Sequence, residues 1–107
     1  MAGTLVISKA RQVSITSVSF DHLAEEIRQA LDAPDELAFV DAFRAYDNEA
    51  VMTISLVDLH VRDFQTFTTA ARAAMEVCIR RHGLAFRSQW IELITTLASD
   101  PRSRQSQ

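Results

Sequence analysis

Half-cystine pairs, glycine-rich loops and long apolar runs are all missing from this chain of 107 residues. One cysteine, Cys78, excludes an internal disulfide and any multi-cysteine metal site. Two glycines and two prolines exclude collagen-like and low-complexity classes. Neither G-x-x-x-x-G-K-[ST] nor G-x-G-x-x-G occurs, so no motif asks for a nucleotide cofactor. No apolar stretch approaches the ~18–20 residues that span a bilayer. The first residues, Met1-Ala2-Gly3-Thr4-Leu5-Val6-Ile7, have neither the basic region nor the long apolar core of a signal peptide. A cytoplasmic protein with no membrane role is the expectation.

What is present is one domain's worth of apolar sequence, 48% of residues, with 23% charged. The charge is unevenly placed. Between Asp21 and Glu49 nine acids face two arginines, a charge of −7, whereas Leu59–Gln107 has seven arginines against four acids, a charge of +3. The whole chain carries −3. An acidic surface steers basic partners inward and repels nucleic acid, so a basic protein is the expected partner and nucleic acid is not.

Periodicity predicts an α+β fold: a small, mainly antiparallel sheet with two or three helices packed on one face. Residues 4–16 are β-branched and partly alternating, and read as one long edge strand or two short strands bent around Lys9–Arg11. Ser19 is placed to cap a helix over 20–32, with Phe20, Leu23, Ala24, Ile27, Ala30 and Leu31 on one stripe. Residues 37–46 and 50–61 are read as a hairpin about Asp47-Asn48-Glu49, because a strand groups Leu37, Phe39 and Phe43 whereas a helix strands Leu37 between Asp41 and Arg44. Asp63 is placed to cap a helix over 64–82 that Gly83 ends. Leu84-Ala85-Phe86 reads as a short strand, and helical spacing resumes at Ser88 and stops at Asp100-Pro101. A strand over 84–95 would give the split βαβ, ferredoxin-like order as the nearest alternative. Residues 1–100 form the expected domain and 101–107 a flexible polar tail. Apolar residues on both faces of 50–61 suggest an open sheet face through which a homodimer could form.

Candidate chemistry is sparse. His22, His60 and His82 have no metal-ligand spacing. Asp58 and His60, two apart in the expected strand, would share a face, which is half of an acid–base site, but nothing marks a nucleophile. Cys78 falls in the apolar stripe of its helix and reads as core, as does Trp90. His82, beside Arg80 and Arg81, suits the negative end of that helix. No catalytic or metal residue is therefore assigned. The residues expected to bind a partner are Asp35, Glu36, Asp41, Asp47 and Glu49, with Tyr46 as an aromatic anchor. Size, charge and missing catalytic motifs together favour a small acidic protein-binding domain. Its most concrete form is an inhibitor of the immunity or antitoxin type that occludes a basic toxic enzyme such as a nuclease. The alternatives are a small dimeric α+β enzyme or ligand-binding regulator with a site near Asp58 and His60, and a subunit or assembly chaperone.

Overall fold

The computed structural model describes residues 2–31, 36–48 and 52–104. Among these, β1 (Ala2–Ser8) and β2 (Arg11–Thr16) form a hairpin turned at Lys9-Ala10, followed by α1 (Ser17–Ala30), α2 (Leu37–Ala42) and α3 (Arg44–Asn48). Then come β3 (Thr53–Ser55), α4 (Val61–His82), α5 (Arg87–Ser99) and a 3-10 turn at Pro101–Ser103. The sheet is mixed, in the order β2-β1-β3: β1 runs antiparallel to β2 and parallel to β3. This is a small α+β fold, as the periodicity predicted.

Alternation sets the two faces of the sheet. Leu5 pairs with Val13 on one side and Ile54 on the other, and these three, with Ile7 and Ile15, are buried under the helices. Phe20, Leu23, Ala24 and Ile27 of α1 meet Phe64, Phe67, Ala71 and Ala74 of α4 in the same core. Trp90, Leu93 and Leu97 of α5 complete it. Gly3 lets α1 approach the sheet: a Cβ on it would stand 2.3 Å from the Phe20 ring. The outward face carries Thr4, Ser14, Thr53 and Ser55, with Val6 as its apolar exception. Among the described residues this face is hydroxyl-rich, where apolar residues were expected.

Several expectations are corrected. Residues 37–46 are not a strand; they form α2 and the start of α3, which buries Phe39, Ala42 and Phe43 and leaves Leu37 72% exposed. Helix formation wins because three apolar contacts at one face outweigh one exposed leucine. Of the strand expected over 50–61, residues 50 and 51 lie outside the described residues, Thr53–Ser55 is β3, and 56–60 is a loop whose Leu56 and Leu59 still turn inward. Residues 84–86 form a turn, so the split βαβ order does not arise. Ser19 lies inside α1, where Thr16, at the N-cap, donates to its hydroxyl at 3.0 Å. His60, not Asp63, is the N-cap of α4.

Pro101–Ser103, at the start of the expected tail, is a 3-10 turn joined to the domain through Arg102. The Arg102 guanidinium donates to the carbonyls of Leu56 (2.7 Å), Leu59 (2.8 Å) and Ile7 (2.7 Å). It also donates to both Asp100 carboxylate oxygens at 3.0 Å, and it lies 4.0 Å from the centre of the Phe64 ring. All five of its N–H donors are thereby used. Gly83 ends α4 with φ of 64°, a backbone shape that glycine adopts without strain.

Candidate partner-binding surface

The acidic segment splits into two regions. In the first, side chains of α3 reach the edge of α1, where helical spacing puts Asp21, Glu25 and Arg28 together. Tyr46 donates its hydroxyl to Asp21 at 2.9 Å and lies 3.4 Å from Glu25. Its ring meets Phe20 edge-on at 5.5 Å. Burial, together with the hydrogen bond to Asp21, holds the phenol well above its usual range, so it is a fixed donor. Arg28 donates to Asp47 at 2.6 Å, approaches Glu25 at 3.8 Å and covers the Phe43 ring at 4.7 Å. Here three carboxylates share one arginine and one phenol.

In the second region, α2 faces the loop before α4. Asp41 pairs with Arg44, and Glu36 is exposed just before the helix. Ala38, Asp41 and Ala42 form one wall of a crevice of about 130 Å³ that Ser55, Asp58, Leu59, His60 and Asp63 complete. Asp58 and His60 are exposed loop residues there and do not share a strand face as expected. Among the described residues the side chains of Asp58 and Asp63 make no hydrogen bond or ion pair.

Of the residues picked from sequence, Tyr46 and Asp47 come together on α3, while Glu36 and Asp41 lie on the α2 side. Asp35 and Glu49 fall outside the described residues. Tyr46, expected as an aromatic anchor, is held by internal contacts with Asp21 and Phe20. Asp21, Glu25, Leu37 and Val40 were not picked. The first two gain meaning from contacts with Tyr46 across 25 and 21 residues, which no local pattern reveals. Leu37 and Val40 were signalled by their misfit to a buried helix stripe.

The remaining candidates settle as core or corner. Cys78 and Trp90 are buried. His82 is exposed at the end of α4, where its ring lies 5.0 Å from that of His22 and 5.6 Å from that of Phe86. Arg81 beside it bridges to the mostly buried Glu26 of α1 at 3.0 Å. Among the described residues no group of three or more His, Cys, Asp or Glu side chains could hold a metal ion, and no helix is long and apolar enough to cross a membrane.

The fold defines a compact α+β class in which a mixed three-stranded sheet is covered by long helices. No family model matches the chain, and a comparison with curated proteins finds no match. Among solved structures, the fold is similar to a chain in the complex of the CdiA-CT toxin from Burkholderia pseudomallei E479 with its cognate CdiI immunity protein. The TM-score is 0.87 at 21% identity, over 95% of this chain and 99% of that one. At this identity the likeness is one of fold.

Proposed function

We propose that the chain is an inhibitor of the immunity or antitoxin type, which binds a basic toxic enzyme such as a nuclease and occludes its active site. The observation that carries this reading is the near-complete match of fold to a chain of a toxin–immunity complex. Charge supports the immunity side of such a pair. An enzyme that cleaves nucleic acid needs a surface that attracts phosphates, whereas its inhibitor needs the opposite sign. The net charge here is −3, and nine of the 14 acids fall between Asp21 and Glu49. Glu36 and Asp41 supply negative charge to the partner-facing side, and Asp47 on α3 adds to the field around it. The reading entails a shared cytoplasmic compartment with the toxin, and no direct role with nucleic acid or membrane.

The test has two parts. The chain is used to capture partners from its own organism's lysate at graded salt, and the recovered protein is then co-expressed with it. The expected result is one stoichiometric basic protein, weakened by salt, whose toxicity the chain suppresses. Growth arrest caused by the chain alone would place it on the toxin side and overturn the proposal. A second reading, a ligand-binding or catalytic domain, draws on the crevice at Asp58 and His60. It predicts thermal stabilisation by a small molecule with no protein partner present.

A further inference from the structure

α2 has a buried face and an outer face. At 100° per residue, Phe39 and Ala42 point inward, Ala38 and Asp41 turn to the crevice, and Leu37 and Val40 are left outside. Leu37 is 72% exposed and Val40 41% exposed, although each is large and apolar. One exposed leucine is ordinary. Two on adjoining positions of one short helix make a ridge, and Asp41 joins that ridge to the crevice.

We propose that this outer face of α2 is the surface on which the basic partner docks, with Leu37 and Val40 as its apolar centre. The proposal rests on the inhibitor reading for its occupant. Charge complementarity selects that occupant. Glu36 precedes the ridge and Asp41, Asp58 and Asp63 line the crevice beside it, against Arg44, which is paired with Asp41, and Arg62, which adjoins Asp63 in sequence. The balance around the ridge is two negative charges. A partner with apolar side chains among lysines or arginines can cover Leu37 and Val40 while a cationic group enters the crevice. That crevice, at about 130 Å³, has the room of roughly four waters. An apolar centre with a charged rim is the usual anatomy of a protein interface.

The α1–α3 region is the weaker choice. Asp21, Glu25 and Asp47 there are already engaged by Tyr46 and Arg28. A partner must break those contacts to use the carboxylates, while Asp58 and Asp63 require no such exchange.

The test compares the partner recovered by salt-graded capture with a synthetic Arg-Leu-Arg-Arg-Leu-Arg peptide as a defined probe, both on the full-length chain. The peptide is expected to shift the amide resonances of Leu37–Ala42 and Asp58–Asp63. Leu37→Ser with Val40→Ser is expected to weaken partner binding about tenfold or more. Asp58→Asn with Asp63→Asn is expected to weaken it and to flatten its salt dependence. Asp21→Asn with Glu25→Gln serves as the control, expected to slow association through the long-range field while leaving the dissociation rate within about twofold. All these positions are at least partly exposed, and matching thermal melts establish that each variant is folded. Peptide shifts confined to α1 and α3, or unchanged Kd in the α2 variants, overturn the surface while wild-type protection keeps the inhibitor reading. Failure of the wild-type chain to protect against the partner sinks that reading, and the occupant with it.

Discussion

Single residues set the tolerances of this fold. Gly3 is fixed by proximity, since any side chain there enters the Phe20 ring. Gly3→Ala is expected to cost about 1–3 kcal/mol, read as a lower urea midpoint, because the ring must move in a packed core. Asp100 is fixed by charge. The hydrogen bond from Arg102 holds its carboxyl below the usual carboxylate range, against the opposing effect of burial. Its folded form therefore binds a proton less readily than the unfolded chain. That stability is present in full above the ordinary carboxylate pKa and is lost as pH falls through the depressed one. Urea unfolding of the wild type and of Asp100→Asn, followed from pH 7 down to about pH 2, should show the wild type losing more of its stability on acidification. Tyr46 works in the opposite direction. Its raised phenol pKa gives stability that is present below the ordinary tyrosine range and declines as pH rises above it.

At the level of elements, the sequence was legible wherever one periodicity stood alone. The helices α1, α4 and α5 and the alternation of Val13 and Ile15 appear where they were expected, although Ile91 and His82, which helical spacing groups with the apolar stripes, are exposed. The segment 37–46 failed because both periods fit it: Phe39 and Phe43 lie four apart, which suits one helix face as well as one strand face. Only the packing of α2 against the core decides, and that depends on residues distant in sequence. The two alternatives differ in what Leu37 does. A strand would bury it beside Phe39, so both substitutions would be costly. In the observed helix, Leu37→Ser is expected to change stability by less than about 0.5 kcal/mol. Phe39→Ala is expected to cost about 3–5 kcal/mol. Denaturant melts of the two variants check this directly. The 3-10 turn was missed for a related reason. Arg102 looks like a tail residue, yet its partners at Ile7, Leu56 and Leu59 come from β1 and the loop after β3. Arg102→Met is expected to cost about 3–5 kcal/mol, because it leaves a buried carboxylate and three carbonyls without their donor.

For the whole molecule, charge distribution carries more functional information than any single site. Nine of the 14 acids fall between Asp21 and Glu49, the span that includes α1, α2 and α3. Within that span the carboxylates of α1 and α3 are largely compensated at short range by Arg28 and Tyr46. Compensation at contact distance does not remove the field farther out, because three carboxylates still outnumber one arginine. Such a field acts on an approaching basic surface before contact and is screened by salt over about 10 Å at 0.1 M ionic strength. The docked complex instead depends on desolvated contacts, which salt reaches poorly. The two effects therefore separate in kinetics. Raising salt from about 0.05 M to about 0.5 M is expected to slow association with the proposed basic partner about tenfold or more. Dissociation should change far less, whereas Leu37→Ser with Val40→Ser should do the reverse, quickening dissociation with little effect on association. Stopped-flow association and displacement measurements distinguish these patterns. Salt-insensitive association would mean that the acidic span serves solubility and that partner choice resides wholly in the contact surface.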